Sequence, residues 1–555
     1  MFEAITQRRY LVPFKAARIT QQVTDVLVIG GGVGGLRAAI AAADAGVAVL
    51  VITKDVLEES NTWYAQGGVA AALNPPDTNQ SHIEDTLRCG ADLCDRRAVE
   101  ITIKEGAERV LELLSWGAAF DRDPANAHQL AFGLEGGHSH ARIVHADGDA
   151  TGRAIARTLI QAVRSRDTIR VAEKSFVLDL LTDDGRCLGA LAIMDGKMQL
   201  IWAKRVILAT GGAGQLYRET SNPHIATADG HAMAWRAGAA LQDMEMVQFH
   251  PTTLYIAGAN RALVTEAVRG EGAYLIDRDG HRFMPDYHPM AELAPRDVVS
   301  QAIVTQIRKT NFSHVYLDVR HLPTEKFRQR FPTLAKLVDS FGIDLSKDLI
   351  PIHPAAHYMV GGVDVDDQAR TSLPGLYAVS EASCTGLHGA NRLGSNSLLE
   401  GLAYGARAGA DAAQAALENN IKFPQSLEHR IPASSRTELD ITDVKSSLRS
   451  VMWRNVGIER TADRLAETRE IIMFWSRYVM DKTFDPGSQS TPAIAGWELQ
   501  NMLTVATLIS TAAYTRTESR GVHFRMDYPQ RDDVHWKLHL LWRRPMETPI
   551  PQPLG

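Results

Sequence analysis

The chain has 555 residues, of which 45% are hydrophobic and 22% charged, close to the average for soluble globular proteins. This composition excludes a disordered or fibrous protein, and the length allows two to four domains. The formal net charge of −6 argues against a nucleic-acid-binding protein, which normally has a basic domain. No apolar run approaches the roughly 20 residues that a membrane-spanning helix needs, so we expect no membrane domain.

The cysteines and the N-terminus bear on location. No pair among Cys89, Cys94, Cys187 and Cys384 has the CxxC spacing of a zinc site or a redox disulfide. We therefore predict a reducing, cytoplasmic location and no bound metal. Residues 1–23 lack the apolar core of a secretory signal, which favours an N-terminal extension over an organelle transit peptide.

Residues 25–52 predict a strand, a glycine turn, a helix and a second buried strand, which together form a βαβ unit with parallel strands. The turn is Gly30, Gly31, Gly32, Val33, Gly34 and Gly35. Its GxGxxG spacing allows a tight turn, close approach of a pyrophosphate to the backbone, and close packing of helix against strand. The motif therefore predicts a dinucleotide site at the N-terminus of the helix.

The end of the second strand departs from ordinary dinucleotide dehydrogenases. A carboxylate there usually binds the adenosine ribose. This chain has Thr53 and Lys54 instead. The substitution argues against an NAD dehydrogenase and makes the Lys54 ammonium a candidate adenosine contact.

Further strands predicted at residues 205–209 and 375–379 indicate one nucleotide-binding domain interrupted by an insertion. We predict an α/β fold in which a Rossmann-type domain (24–241 and 357–425) carries an inserted α+β capping domain (242–356). Helical runs at 458–478 and 499–514 predict a C-terminal helical domain over 426–520. Residues 521–555, with several prolines, predict an irregular tail.

Several motifs in order along the chain resemble the succinate dehydrogenase and fumarate reductase flavoprotein family. The first, SNTWYAQGG at residues 60–68, resembles the flavin-contacting loop of that family. Other matching segments are residues 209–212, 248–252, 265–272, 293–297, 355–358, 389–392, 518–521 and 527–529. The resemblance implies that the Rossmann-type domain binds FAD and that the substrate is a small dicarboxylate.

Within this family, the resemblance is strongest to the members that oxidise L-aspartate. It lies in EGGHSH at residues 135–140 and in residues 142–153. In respiratory succinate dehydrogenases a histidine bonded covalently to the flavin stands where this chain has Asn61. An amide cannot form that bond, so we predict noncovalent FAD.

The resemblance also implies a set of FAD contacts. Ser380 stands where relatives usually have a glycine before the ribose-binding glutamate, which makes the role of Glu381 less secure. The predicted cofactor residues are Gly30, Gly31, Gly32, Val33, Gly34, Gly35, Lys54, Asn61, Thr62, Tyr64, Ala65, Gln66, Gly67, Gly68, Val177, Gly211, Asp229, Glu381, Ser397 and Leu398.

A dicarboxylate offers two anionic groups for binding. Arg392 can donate two parallel hydrogen bonds to one carboxylate, and His357 can add another. By resemblance, His250 and Thr265 bind the second carboxylate. Hydride transfer then depends on how closely and in what alignment these groups hold the substrate carbon against the flavin.

Two charged residues admit more than one interpretation. A guanidinium is normally a fixed cation, so Arg296 could form a salt bridge or bind substrate. The resemblance instead assigns it proton transfer at the carbon next to the one that exchanges hydride. Glu135 could be a surface carboxylate or a helix cap, but within the EGGHSH motif it could bind the α-ammonium that succinate lacks. We predict no metal site at His138, His140 and His145, because no further ligand is obvious nearby.

These observations predict an FAD enzyme that oxidises L-aspartate to iminoaspartate, the first step of NAD biosynthesis through quinolinate. Oxygen or fumarate would reoxidise the flavin, and the product could be passed to quinolinate synthase. The first alternative is a succinate dehydrogenase or fumarate reductase flavoprotein subunit, which Asn61 and Glu135 disfavour. A noncatalytic flavin-binding protein is disfavoured because it has no need of a cationic dicarboxylate site.

Overall fold

The computed structural model describes residues 3–256, 262–418, 421–424, 426–484 and 493–554. Residue 425, the predicted boundary before the helical domain, lies outside the described residues. The helices are α1 (Glu3–Gln7), α2 (Val33–Asp44), α3 (Asn61–Tyr64), α4 (Asn79–Cys89), α5 (Arg96–Ser115), α6 (Thr151–Arg164), α7 (Asp229–Ala237), α8 (Ala267–Gly270), α9 (Arg296–Thr310), α10 (Thr324–Arg330), α11 (Pro332–Ser340), α12 (Asn396–Glu418), α13 (Ile441–Asn455), α14 (Ala462–Val479) and α15 (Ala493–Thr515).

The strands are β1 (Phe14–Lys15), β2 (Thr20–Ile29), β3 (Val49–Ile52), β4 (Val69–Ala70), β5 (Arg122–Asp123), β6 (Asn126–Leu130), β7 (Phe132–Gly133), β8 (Ile143–Val144), β9 (Ile169–Ala172), β10 (Phe176–Asp183), β11 (Arg186–Met194), β12 (Lys197–Leu208), β13 (Leu241–Gln242), β14 (Val247–Leu254), β15 (Tyr274–Ile276), β16 (Val315–Asp318), β17 (Ile350–Met359), β18 (Gly362–Asp364), β19 (Leu376–Ala378), β20 (Ser383–Cys384), β21 (Glu428–His429), β22 (Leu538–Trp542) and β23 (Ile550–Pro553).

A seven-stranded sheet forms the centre of the nucleotide-binding domain. Its strand order is β10-β11-β12-β2-β3-β9, with β19 also paired to β12. The pairs among β12, β2, β3, β9 and β19 are parallel, while β10, β11 and β12 are antiparallel. The strands from both halves of the predicted domain therefore meet in one sheet, as the Rossmann-type prediction requires.

The glycine turn lies between β2 and α2, where backbone segments approach closely. Gly30 has φ +120°, and a Cβ there would lie 2.0 Å from the Ala209 carbonyl oxygen, so only glycine fits. A Cβ at Gly32 would meet only the Thr62 hydroxyl, at 3.4 Å, which leaves this part of the turn open to a ligand. Helix α12 packs against α2, the helix that follows the turn, and so holds α2 in position.

The insertion forms a separate antiparallel sheet with the strand order β14-β17-β16-β15, and helix α9 packs against β14. Helices α13, α14 and α15 pack together after it, and α15 is buried along nearly its whole length. The predicted helix at 458–478 begins later, at Ala462, where the Thr461 hydroxyl caps it. None of the helices in the described ranges is both long and apolar enough to cross a membrane.

The structure corrects the interpretation of both chain ends. Residues 521–555 are not an irregular tail throughout, because β22 pairs with β13 and β23 extends the same sheet. Near the N-terminus, Tyr10, Leu11 and Phe14 are buried against the β10–β12 hairpins, and β2 begins at Thr20. Both segments add to folded cores because their apolar side chains cover neighbouring elements.

Candidate active site

A cleft of about 880 Å³ runs along the glycine turn and the carboxyl ends of the parallel strands. Ligands of open α/β sheets bind at this edge. The predicted cofactor residues in its wall are Gly30, Gly31, Gly32, Val33, Gly34, Lys54, Asn61, Thr62, Val177, Gly211, Asp229 and Glu381. Strands and turns that are distant in sequence thus build one elongated site.

A second cleft of about 630 Å³ shares Val33, Asn61, Thr62, Ser380 and Glu381 with the first. It adds six other predicted residues, which are Tyr64, Ala65, His357, Arg392, Ser397 and Leu398. The shared walls make a path from the glycine turn to Arg392 and His357. An extended dinucleotide in this path would place its two ends at chemically different surroundings.

Four predicted cofactor residues line neither cleft. Gly35 packs behind the turn, where a Cβ would lie 2.2 Å from the Gly30 carbonyl oxygen. Gly67 abuts the Glu135 carboxylate and Gly68 abuts the Val144 carbonyl, while the Gln66 side-chain oxygen is buried without a hydrogen bond. The contact of these four residues with the cofactor stays a prediction. The lack of a side chain at Gly67 leaves space for the Glu135 carboxylate.

Lys54 lines the first cleft, but its ammonium already has hydrogen-bond partners. Its Nζ lies 2.7 Å from Thr227 Oγ1, 2.9 Å from Asp229 Oδ2 and 2.7 Å from Glu498 Oε1. With the Ile225 carbonyl at 3.3 Å, the acceptors around Nζ outnumber the three ammonium hydrogens. A hydrogen bond from Lys54 to a ribose would therefore require one of them to be released.

Asn61 and Glu381 meet where the two clefts join. Asn61 Nδ2 donates to Glu381 Oε2 at 2.9 Å, and the Met359 backbone N–H donates to Glu381 Oε1 at 2.9 Å. Burial raises the pKa of Glu381 to about 7. Ser380 has φ +59°, a conformation that favours glycine, so the departure noted in the sequence falls at a strained position.

Gln248, on β14, fixes Arg296 and Arg392 relative to each other. Its Oε1 accepts from Arg392 Nε at 3.1 Å and from Arg296 Nη1 at 3.3 Å. Its Nε2 donates to Asn391 Oδ1 and to the Arg392 carbonyl, which sets the orientation of the amide. Arg296 and Arg392 therefore lie on either side of one buried amide.

Arg296 belongs to a buried line of charges. Its Nε donates to Glu266 Oε2 at 2.7 Å, and Arg269 Nη2 donates to Glu266 Oε1 at 3.0 Å. Although burial opposes ionisation, Arg296 and Arg269 hold the pKa of Glu266 below its usual value. Glu266 is thus a buried carboxylate held between two guanidinium groups.

His250 and His357 lie side by side, with ring centroids 5.0 Å apart. Burial lowers the pKa of both well below the usual value, helped by Arg296 for His250 and by Arg392 for His357. His357 Nδ1 is 2.8 Å from Ser221 Oγ, while His250 Nε2 is buried without a hydrogen-bond partner. An unsatisfied buried nitrogen is unfavourable in isolation and suits a ligand contact.

Thr265 lies close to this cluster because the backbone next to it pairs with the strand of His250. The Thr252 hydroxyl donates to the Val264 carbonyl at 2.8 Å, and the Val264 N–H donates to the Thr252 carbonyl at 3.1 Å. This pairing brings Thr265 beside the strand that carries His250. Thr265 is buried, and neither of the two clefts includes it or His250 in its wall.

Glu135 is buried next to Arg296 and Glu266. Its Oε2 accepts from Ser395 Oγ at 2.7 Å. A Cβ at Gly394 would lie 2.8 Å from Glu135 Oε2, 3.1 Å from an Arg296 nitrogen and 3.1 Å from Glu266 Oε2, so the three charged groups surround this glycine. Burial and then the Glu266 charge raise the pKa of Glu135. The surface-carboxylate interpretation is wrong.

The three histidines near Glu135 have separate partners. His138 lies 3.0 Å from the Gly394 carbonyl, His140 lies 3.1 Å from Ser81 Oγ, and His145 lies 2.6 Å from Asp121. Within the described ranges, no group of three or more His, Cys, Asp or Glu side chains could hold a metal ion. His138 instead links the Glu135 loop to the loop of Arg392.

Sequence reasoning did not single out Gln248, Glu266 or Ser395. The first two lie inside segments that carry the family resemblance, at residues 248–252 and 265–272. Their presence in those segments was the available signal. Their hydrogen bonds could not be read from the sequence, since each partner comes from a distant part of the chain.

Comparisons with known proteins agree with this geometry. A family model described as FAD binding domain matches residues 25–398, and one described as fumarate reductase flavoprotein C-term matches residues 445–550. L-aspartate oxidase from Streptomyces coelicolor is 44% identical over 531 residues, which cover 94% of this chain and 91% of that protein. The chain belongs to the L-aspartate oxidase family.

Other members and solved structures place the L-aspartate oxidase family beside fumarate reductases. L-aspartate oxidase from Acinetobacter baylyi is 41% identical, with 91% of this chain and 94% of that protein covered. The structure of quinol fumarate reductase from E. coli has a TM-score of 0.89 and 33% identity and covers 97% of both chains. Sdh1 of Mycobacterium smegmatis has a TM-score of 0.82 and 34% identity, covering 97% of this chain and 95% of that one.

The cofactor is FAD. The matching FAD-binding model spans the glycine turn, Asn61 and Glu381, and the open backbone at Gly32 can accommodate a pyrophosphate. The predicted fold class, family and cofactor are confirmed. The individual cofactor contacts and the domain boundaries stay predictions.

We expect FAD to be released by acid or denaturant, because the Asn61 amide is no nucleophile and already donates to Glu381. The purified protein would be denatured and run on a gel, and the protein band examined for flavin fluorescence. Fluorescence should leave the band and appear in the acid supernatant. Flavin that stays with the denatured chain would contradict noncovalent binding.

Proposed function

We propose that the chain oxidises L-aspartate to iminoaspartate, which supplies quinolinate and NAD biosynthesis, with the flavin reoxidised by oxygen or fumarate. The observation that carries the proposal is the juxtaposition of a buried carboxylate, Glu135, with the arginine pair that shares Gln248. A cationic pair suits a dicarboxylate. A carboxylate beside it suits a dicarboxylate that also has an ammonium group.

The two ends of the substrate bind different groups in this proposal. Arg392 and His357, which line the second cleft, bind one carboxylate, and His250 and Thr265 bind the other. His250 Nδ1 lies 3.0 Å from the Thr252 carbonyl and 3.2 Å from the Thr252 N–H, and the tautomer that accepts from this N–H carries its proton on Nε2. The unsatisfied Nε2 can then donate to a carboxylate oxygen.

Glu135 binds the amino group of the substrate in this proposal. Burial and the neighbouring Glu266 make the ionised form of Glu135 costly, so a substrate ammonium beside it offsets both effects. Ser395 holds one carboxylate oxygen, which fixes the direction of the other. Succinate and fumarate cannot supply the missing cation, and this difference gives the site its preference for aspartate.

Arg296 transfers a proton at the substrate carbon next to the one that exchanges hydride. Its contact with Glu266, and through it with Arg269, offers a buried route for that proton. FAD, when bound, supplies the hydride acceptor. During aspartate oxidation the nitrogen lone pair drives hydride loss once the ammonium has lost its proton, so Arg296 matters less than in fumarate reduction.

The proposal also includes transfer of the product to a partner enzyme and a cytoplasmic location. Iminoaspartate hydrolyses readily in water, so direct transfer to a quinolinate-forming partner would conserve it. A cytoplasmic location is consistent with the four cysteines, each of which is a free thiol.

Anaerobic reduction of the bound flavin tests the function. We expect L-aspartate to bleach the flavin absorption band, while D-aspartate and succinate at equal concentration bleach it far more slowly. Fumarate added afterwards should restore the band and form succinate. Faster bleaching by succinate than by L-aspartate would overturn the proposal and favour a succinate dehydrogenase activity.

A further inference from the structure

Arg392 is buried, yet within the described ranges of the chain its charge has no direct counter-ion. Its Nε donates to Gln248 and its Nη1 donates to Ser397 Oγ at 2.5 Å, and both acceptors are neutral. Among the described residues, no carboxylate lies within ion-pair distance of it, and burial, followed by Arg296, lowers its pKa to about 10. A guanidinium in this setting needs another source of stabilisation.

The Tyr358 ring supplies a surface for that charge. The Arg392 guanidinium carbon lies 4.5 Å from the centroid of the ring, within the range of a cation–π interaction. Tyr358 is at the end of β17 and is itself buried. The contact leaves the N–H edge of the guanidinium available, whereas a carboxylate partner would occupy that edge.

The Tyr358 hydroxyl is tied to a buried carboxylate. It donates to Glu400 Oε2 at 3.1 Å, and Glu400, on α12, also accepts from Thr385 Oγ1 at 2.6 Å. His388 Nε2 lies 3.1 Å from the same Oε2. Burial opposes ionisation of Glu400, but His388 and the hydrogen bonds hold its pKa below the usual value.

A phenol that donates to a carboxylate has a more electron-rich ring, which attracts a cation more strongly. The negative charge of Glu400 thus acts on Arg392 through the ring and does not compete with a substrate carboxylate. An acidic side chain in direct contact with Arg392 would compete. This arrangement separates stabilisation of the cation from occupation of its hydrogen-bond donors.

We propose that Tyr358 and Glu400 are a positioning pair that holds Arg392 in place, so that the N–H groups not used by Gln248 and Ser397 stay available to the substrate carboxylate. The inference rests on the proposed role of Arg392 in substrate binding. It predicts an effect on capture of any dicarboxylate, with or without an amino group. Glu135, in contrast, acts on the amino group alone.

Substitutions that remove one part of the pair at a time test it. Tyr358→Phe keeps the ring and loses the hydroxyl, Glu400→Gln keeps an acceptor and loses the charge, and Tyr358→Leu removes the ring. We expect KM to rise about threefold to tenfold for the first two and roughly thirtyfold for Tyr358→Leu. The factor should be the same for L-aspartate and fumarate, with kcat within about twofold of wild type.

Tyr217→Phe is the matched control, because Tyr217 is a fully buried tyrosine whose hydroxyl donates to the Val456 carbonyl at 3.4 Å. It should leave KM unchanged. Flavin content and melting temperature are recorded for every variant, and comparisons use fully FAD-loaded protein. If all three pair variants keep wild-type KM for both substrates, or if kcat falls and KM does not change, the inference is wrong.

Arg392→Lys separates failure of this inference from failure of the proposed function. The lysine keeps the charge and loses the planar set of donors, so KM should rise for both substrates. If Arg392→Lys raises KM and the Tyr358 variants do not, only the positioning pair is wrong. If Arg392→Lys itself leaves KM unchanged, the proposed substrate site is wrong.

Discussion

Replacing Arg296 by leucine should reduce fumarate reduction by roughly 10²–10⁴-fold, the usual contribution of a positioned acid or base. Fumarate must receive a proton on carbon as hydride arrives, and leucine has none to give. Leucine also leaves the buried Glu266 with Arg269 as its remaining guanidinium partner. Aspartate oxidation should fall less. Steady-state rates for both reactions on FAD-loaded protein check the prediction.

Arg282→Leu is the control for the Arg296 variant. It removes an ion pair of similar length, 2.6 Å to Glu292, from the same inserted domain, and Arg282 is not part of the buried line of Arg296, Glu266 and Arg269. Both activities should survive it. An Arg296→Leu protein that reduces fumarate at the wild-type rate would remove Arg296 from proton transfer.

The parts of the fold that follow from local sequence were predictable. The GxGxxG turn and the apolar runs around it specify strand, turn and helix within 30 residues, and the structure has β2, α2 and β3 there. The pairing of β22 with β13 was not predictable in this way. It joins segments about 300 residues apart, and Leu241 and Gln242 alone carry no strand signal.

The candidate site was predictable in residue type and less so in geometry. The sequence pointed to Arg296, Arg392, His250 and His357, and all four lie in one cluster, in which the first three are buried. The amide of Gln248 that joins the arginines could not be foreseen, because its two partners lie 48 and 144 residues away. Hydrogen bonds between distant segments depend on the completed fold.

The preference for aspartate over succinate depends on Glu135, and Glu135→Gln isolates its charge. The glutamine can still accept the hydrogen bond from Ser395 but cannot attract an ammonium. A charge-assisted hydrogen bond contributes about 1.5–3 kcal/mol, so the ratio of aspartate to succinate kcat/KM should fall by about tenfold to a hundredfold. Fumarate has no ammonium, and its reduction should be largely spared. Glu135→Asp keeps the charge but withdraws it by one methylene. Its aspartate-to-succinate ratio of kcat/KM should lie between those of wild type and Glu135→Gln.

The most direct test of substrate recognition by Glu135 is kcat/KM for L-aspartate, succinate and fumarate, measured side by side on wild type and Glu135→Gln. Flavin content and melting temperature serve as controls for folding. If Glu135 recognises the amino group, we expect a strong loss with L-aspartate, little change with fumarate and a relative gain with succinate. Equal losses on all three substrates would mean that Glu135 supports the structure of the site and does not recognise the amino group.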